Sequence, residues 1–206
     1  MITFDKLILE RYFYKLNFSS FIMILALWIL IAVIVLVVII FAGYYNRFVV
    51  LSNRIDNSLS QIDVQLKRRA DLIPNLMESV KGYMKHEKGI MESVNNARKA
   101  LVGAKDLSSK MKANNQLEGF LGKLFAIAEN YPDLKANTNF LQLQNELTTT
   151  EDKIAYSRQF YNDSILTYNN KCKMVPGNFF ANMYGFKEKE YIKIAEVEKK
   201  VVNVKF

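Results

Sequence analysis

The apolar run FIMILALWILIAVIVLVVIIFA occupies residues 21–42 and contains no charged side chain. As an α-helix rising 1.5 Å per residue it is about 33 Å long, enough to cross a hydrocarbon core of about 30 Å. A cleaved signal peptide would have a shorter apolar region of about 7–15 residues followed by small residues, whereas this run leads into Tyr44 and Tyr45. The run therefore predicts an uncleaved single-pass transmembrane helix over residues 21–45, preceded by a short N-terminal segment, 1–20.

After this span, apolar residues recur at steps of three and four, as on the buried face of a helix. The only prolines, Pro74, Pro132 and Pro176, lie where the pattern pauses. We expect an all-α fold: the transmembrane helix continues into an antiparallel up-down four-helix bundle with coiled-coil-like seams over residues 46–176. The predicted helices end near Arg69, run from Asp71 to about Leu101 with Pro74 in the first turn, cover about 108–131, and run from Asn137 or Thr138 to about Met174.

The net charge of the 206-residue chain is +8, from 28 Lys and Arg against 20 Asp and Glu. A basic surface favours an anionic neighbour, and for a membrane-anchored domain the nearest one is the lipid headgroups. No stretch interleaves aromatic residues with Arg as a nucleic-acid stacking groove does. Composition therefore favours membrane lipid as a partner and disfavours nucleic acid.

The segment 177–206 follows Pro176 and begins with aromatic residues and lysines. Two interpretations are open: its apolar residues lie in the headgroup region with the lysines toward phosphate, or they cover the open end of the bundle as ordinary core. The candidate membrane-surface residues are Phe179, Phe180, Met183, Tyr184, Phe186 and Lys187. We also expect the loop between the second and third helices to face the membrane with the basic residues Arg98, Lys99, Lys105, Lys110 and Lys112.

The membrane orientation depends on the charges beside the span. Lys6, Arg11 and Lys15 precede the span, and Arg47 and Arg54 follow it, so the two sides nearly balance. The expected basic rim prefers the anionic cytoplasmic leaflet. We therefore expect a bacterial cell-membrane protein with its N-terminus outside and its bundle in the cytoplasm.

Two groups of charged residues are candidate sites within the bundle. The run Lys67, Arg68 and Arg69 lies about 35 Å along the helix from the bilayer; it either binds an acidic partner or complements the dipole at a helix C-terminus. Glu87 falls on an apolar seam, and with Asp63 it either recognises a partner or fixes helix register through a salt bridge.

Nothing in the sequence predicts catalysis or a cofactor. A carboxylate-bridged metal pair in a bundle needs two Glu-x-x-His motifs, but His86 is the only histidine and no Glu lies three residues before it. No nucleophile–base set is apparent either. We therefore expect a protein that is not an enzyme and has no catalytic, cofactor-binding or metal-binding residues.

The stretch from Tyr45 to Leu101 closely resembles the LemA family of bacterial membrane proteins. The resemblance covers roughly residues 20–187, and its most specific pieces are QIDVQLKRR at 61–69, DLIPNL at 71–76, VKGY at 80–83, AENYPDLKAN at 128–137, LQNEL at 143–147 and RQFYN at 158–162. It implies a four-helix bundle on an N-terminal anchor with the N-terminus outside. It implies no activity, because the molecular function of the family is not established.

We therefore expect a membrane-anchored, non-enzymatic scaffold or adaptor that binds lipid and an unidentified protein partner. The alternative is an extracytoplasmic sensory bundle, which would need a separate partner for its output. Neither interpretation fixes an oligomeric state.

Overall fold

The structure is a computed structural model that describes residues 2–192, with side chains from residue 21 onward. The predicted segment 177–206 is thus described only as far as Ile192, and its remainder lies outside the described residues. The described chain divides into two units. Within the described residues, unit 1 contains residues 2–50 together with Lys171–Lys187, and unit 2 contains Leu51–Asn170 together with residues 188–192. The predicted domain boundaries at residues 20, 45 and 176 stay predictions.

Residues 2–192 form helices and loops without a strand, so the predicted all-α class is confirmed. The helices are α1 (Ile2–Lys81), α2 (Lys88–Gly103), α3 (Leu107–Ala128), α4 (Pro132–Lys135), α5 (Thr138–Lys173) and α6 (Gly177–Tyr184). The up-and-down order of a four-helix bundle stays a prediction.

In unit 1, α1 exposes its apolar run. The large apolar side chains of residues 21–40 are between 42% and 66% exposed. Among residues 21–192, α1 is the one helix that is long and apolar enough, by length and composition, to cross a membrane. A bilayer around this helix would remove the apolar surface from water. This transfer is the main favourable contribution to the free energy of membrane insertion.

Unit 2 has a core to which α1, α2, α3 and α5 all contribute. Its fully buried apolar side chains recur at the three- and four-residue steps expected for packed helices. They include Ile62, Ile73 and Leu76 of α1, Val94 of α2, Leu117 and Leu124 of α3, and Ile154 and Ile165 of α5. Small polar contacts also join these helices, such as the 3.5 Å approach of the Ser58 and Ser164 hydroxyls.

The predicted end of the first helix near Arg69 is wrong, because α1 continues through Pro74 to Lys81. Proline has no N–H to donate to the carbonyl four residues earlier, which here belongs to Ala70. Arg98 of α2 supplies the missing donor, with its Nε 2.8 Å from the Ala70 oxygen. The predicted start of the second helix at Asp71 is therefore wrong, and the break before α2 lies at residues 82–87.

The boundaries of the later helices lie closer to the predicted ones. Asp106 caps α3 by accepting the Ser109 N–H over 2.9 Å. The Asn137 side chain accepts the Asn139 and Phe140 N–H groups at the start of α5. The predicted third and fourth helices are thus confirmed to within a few residues.

The prediction for the basic loop between the second and third helices is wrong in most of its members. Arg98 and Lys99 lie on α2, and Lys110 and Lys112 lie on α3. Of the five predicted residues only Lys105 lies in the loop between these helices. The other four already lie within the predicted helices, which end at about Leu101 and begin at about residue 108, and the structure is helical to Gly103 and again from Leu107.

Candidate functional site

Unit 1 contains an aromatic cluster where the apolar run of α1 ends. It joins α1 to α6 and to the residues just after α6, and its members are Phe41, Tyr44, Tyr45, Phe48, Phe180, Tyr184 and Phe186. The Phe180 ring stacks on Tyr44 with centroids 4.2 Å apart and meets Phe41 edge-on at 5.0 Å. Such ring pairs stabilise packing beyond the area that they bury.

A hydrogen bond and two glycines hold α6 in this position. The Tyr184 hydroxyl donates to the Phe41 carbonyl oxygen over 3.0 Å. A Cβ atom on Gly177 would lie 2.2 Å from the Lys171 carbonyl oxygen, so only glycine permits this approach. Gly185 ends α6 with φ of 76°, a left-handed conformation that favours glycine.

The predicted membrane-surface residues separate onto different faces of α6. Phe180 is buried against α1, and Tyr184 is half-buried in the same cluster. Phe179 and Met183 are more exposed, at 60% and 45%, although the Phe179 ring also meets the Phe180 ring edge-on at 5.4 Å. Packing within the protein therefore accounts for Phe180 and Tyr184. Phe179 and Met183 form an exposed apolar face.

Two further predicted residues follow α6 in the chain. Phe186 is half-buried and stacks on Phe48 with centroids 4.8 Å apart, while Lys187 is exposed. The Lys171 ammonium lies 4.2 Å from the centre of the Tyr44 ring, a favourable cation–π geometry. The exposed apolar face of α6 is thus accompanied by lysines within unit 1.

A polar cluster inside unit 2 surrounds Arg69. Its side chain is 2% exposed, and Nη1 donates to the Asn114 Oδ1 atom over 3.1 Å. The carboxylates of Glu118 and Glu151 lie 3.8 and 3.6 Å from the guanidinium nitrogens. Burial lowers the pKa of Arg69, and the two carboxylates act in the opposite direction. We call these four residues the Arg69 cluster.

The Arg69 cluster borders a cavity of about 470 Å³ between α3 and α5. The lining residues include Asn115, Gly119, Gly122, Phe125 and Leu147. Two buried atoms at its edge, Arg69 Nε and Asn115 Oδ1, have no hydrogen-bond partner.

The predicted Lys67, Arg68 and Arg69 run does not form one site. Lys67 is exposed, and the exposed Arg68 is 3.9 Å from Glu146. The alternative that these cations complement a helix C-terminus is wrong, because α1 continues to Lys81. Only Arg69 turns into the core.

Asp63 and Glu87 are not brought together. Asp63 is 2.8 Å from Lys110 of α3, a salt bridge between helices. Glu87 is half-exposed at the N-cap position of α2 and makes no side-chain cap hydrogen bond. Its predicted seam position is wrong because the chain leaves α1 at Lys81. The proposed partner or register roles of both residues stay predictions.

An extended strap at residues 188–192 is a feature that the sequence analysis missed. The Asn169 side chain pairs with the N–H and carbonyl of Lys189, and Asn162 pairs in the same way with Ile192. The Lys189 ammonium reaches Ser52 at 3.1 Å. Two asparagines seven residues apart on α5 were the available signal, since seven helical residues span about 10 Å, as three extended ones do.

Within residues 21–192, no group of three or more His, Cys, Asp or Glu side chains is placed to hold a metal ion. The expectations that the protein lacks a cofactor and is not an enzyme stay predictions.

Comparison with known proteins gives a consistent family match. The sequence model of the LemA family matches residues 58–206. Protein LemA of Metamycoplasma hominis is 29% identical over 133 residues, which cover 64% of this chain and 61% of that protein. Magnetosome protein MamQ 2 of Paramagnetospirillum magneticum is 27% identical over 173 residues, covering 71% of this chain and 64% of that protein. The chain thus spans less than two thirds of the length of these relatives.

Proposed function

The chain belongs to the LemA family, and we propose that it is a membrane-anchored, non-enzymatic scaffold or adaptor. In this proposal, α1 crosses the bilayer, α6 rests on the lipid surface, and unit 2 binds another protein. The observation that carries the proposal is the contact of α6 with the end of the exposed apolar run.

The depth of α6 follows from that contact. Phe41 lies one residue before the end of the apolar run, and Tyr184 is hydrogen-bonded to its carbonyl oxygen. If residues 21–42 fill the hydrocarbon core, α6 lies at the boundary between acyl chains and headgroups. Tyrosine is enriched at that boundary because its ring is apolar and its hydroxyl polar.

The surface of α6 suits that position. Phe179 and Met183 form its exposed apolar face, and Asn178 and Asn182 form a polar face beside it. Lys187, which is exposed, follows the helix. We assign the apolar face to lipid and the lysine to anionic headgroups, which attract each such cation by about 1 kcal/mol.

The orientation that we propose places the N-terminus outside and unit 2 in the cytoplasm. The support is electrostatic: lysines of unit 1 accompany α6, and the cytoplasmic leaflet is the anionic one. The opposite orientation belongs to the alternative function, an extracytoplasmic sensory bundle.

The protein partner is assigned to the outer surface between α1 and α5. This groove of about 610 Å³ carries Val64 and Tyr156, which are 61% and 69% exposed. A photoreactive residue at position 156 in native membranes should give one reproducible protein adduct. The matched position is 155, also exposed on α5; the same adduct from both positions, or none from 156, contradicts the assignment.

Lipid contact is tested with a fluorophore on single cysteines in the Cys172→Ser background. The full chain is placed in nanodiscs that contain brominated lipid. Labels at Phe179→Cys and Met183→Cys should be quenched strongly, and a label at Asn182→Cys, on the polar face, weakly. Equal quenching at all three positions, or none, contradicts the proposed position of α6.

A further inference from the structure

Two glycines of α3 line the cavity beside the Arg69 cluster. Gly119 and Gly122 lie inside α3 and line the cavity. Each glycine destabilises a helix interior by about 1 kcal/mol relative to alanine. A Cβ atom at either position would meet nothing within 4 Å, so neither glycine serves close packing. Both positions are exposed, so the cavity is open to water beside them.

The inner wall of this cavity presents a buried guanidinium whose N–H donors are only partly satisfied. The five N–H donors of an arginine need acceptors when the group is buried. Arg69 makes one direct hydrogen bond, to Asn114, and its Nε has no partner. The carboxylate distances of 3.6 and 3.8 Å exceed hydrogen-bond length. The guanidinium therefore has capacity for a further acceptor, and a carboxylate matches its planar geometry best.

The acidic residues determine which acceptor fits. Glu118 and Glu151 retain 37% and 48% side-chain exposure. The cavity wall thus offers partly exposed carboxylates beside the buried guanidinium of Arg69, so it presents both signs of charge. A molecule that carries an ammonium group as well as a carboxylate satisfies both signs. The exposed carboxylates would hold the ammonium while the buried guanidinium holds the carboxylate.

The remaining wall is apolar. Leu121 and Leu147 are buried, and Phe125 is half-buried. An aliphatic side chain placed against them loses contact with water at about 25 cal/mol per Å² of apolar surface. Charge and shape therefore point to the same chemical class.

We propose that this cavity binds a free α-amino acid with an aliphatic side chain, such as L-leucine. Arg69 binds the carboxylate, Glu118 and Glu151 bind the ammonium, and Leu147 and Phe125 contact the side chain. The site joins α1, α3 and α5 within unit 2. It is independent of the proposed lipid contact of α6, which lies in unit 1.

The test is calorimetric titration of the full chain in nanodiscs with three probes. L-leucine should bind saturably. Two analogues each lack one charge: 3-methylbutylamine has no carboxylate, and 4-methylpentanoate has no ammonium. Each should bind at least tenfold more weakly than L-leucine. Absence of saturable binding by L-leucine, or equal binding by either analogue, overturns the proposal.

A matched pair of glycine variants locates the site. Gly122→Leu fills the cavity and should abolish L-leucine binding, while its melting temperature stays equal or rises because leucine is the better helix former. Gly89→Leu makes the same change in α2, where a Cβ also meets nothing within 4 Å, and should leave binding unchanged. Full binding by Gly122→Leu overturns the proposed location. The lipid-quenching result is unaffected by either outcome, so the two proposals fail separately.

Discussion

The Nε atom of Arg98 donates a hydrogen bond of 2.8 Å to the carbonyl oxygen of Ala70. In a regular helix this carbonyl would accept the N–H of residue 74, but residue 74 is proline and has none. The arginine of α2 thus replaces a backbone donor of α1. Because this acceptor is satisfied from outside the helix, α1 continues through Pro74 to Lys81.

Replacing Arg98 should destabilise unit 2, because the carbonyl oxygen of Ala70 would lose its hydrogen-bond donor. We expect Arg98→Met to lower the free energy of unfolding of the full chain by about 1–2 kcal/mol, measured by denaturant titration of the helical circular dichroism signal. Lys99→Met, at the exposed neighbouring position, should change it by less than about 0.5 kcal/mol.

The same experiment in a Pro74→Ala background tests the mechanism. Alanine restores the helical N–H to Ala70, so Arg98→Met should then cost clearly less, which a double-mutant cycle reports as coupling. An equal cost in both backgrounds would mean that Arg98 stabilises the fold in another way.

This contact explains why the first helix boundary could not be predicted. A proline in a helical pattern indicates a boundary when only neighbouring residues are considered, and the compensating donor lies 28 residues away. The start of α5 was predictable because its cap is local, with Asn137 bonded to the next residues. The same wrong boundary put Glu87 inside the predicted second helix. In the structure α1 ends at Lys81 and α2 begins at Lys88, so Glu87 lies just before α2.

Arg69 and Arg68 should respond very differently to the same substitution. Arg69→Met leaves the buried Asn114 oxygen without its donor, and we expect a loss of about 1–3 kcal/mol in the free energy of unfolding. The loss stays moderate because both glutamates are partly exposed to water. Arg68→Met removes only a surface ion pair and should cost less than about 0.5 kcal/mol. Similar losses for both variants contradict the structure.

The candidate site was only partly predictable for a related reason. Three consecutive basic residues were predicted to act as one site, although a helix turns by about 100° per residue. Arg69 follows the buried Ile62 and Leu66 at steps of four and three, and this spacing marks it as inward-facing. Its partners Glu118 and Glu151 lie on other helices, so sequence spacing alone does not identify them.

The strap should depend on Asn169. Asn169→Ala removes both hydrogen bonds to the Lys189 backbone, so we expect trypsin to cleave after Lys189 several-fold faster. Asn170→Ala makes the same helix-favouring change at an exposed position and should leave cleavage unchanged. Cleavage rates are followed by mass spectrometry, and equal rates for the two variants would show that the asparagine pair does not hold the strap.

The cap of α3 should depend on pH. Hydrogen bonds from Ser109 hold the pKa of Asp106 below its ordinary value. A lowered folded-state pKa means that the stabilisation is complete above the unfolded value of about 3.9 and is lost as pH falls through the folded value. The melting temperature of Asp106→Ala should therefore lie below that of the wild type at pH 6, and the gap should narrow by pH 2.5.

A matched substitution controls for general acid effects on unit 2. Ser108→Ala changes the neighbouring exposed residue and should show a gap to the wild type that does not vary with pH. If the Asp106→Ala gap is also constant between pH 6 and pH 2.5, the carboxylate form does not provide the cap.

In the proposed topology α1 crosses the bilayer, so residues 3 and 104 lie on opposite sides of the membrane. This topology is tested by labelling single cysteines at Thr3 and Ala104 with a membrane-impermeant thiol reagent in intact cells, in the Cys172→Ser background. We predict that residue 3 is labelled directly and that residue 104 is labelled only after the membrane is permeabilised. Labelling of both positions in intact cells, or of neither, would contradict a membrane-spanning α1, and labelling of residue 104 alone would overturn the proposed orientation.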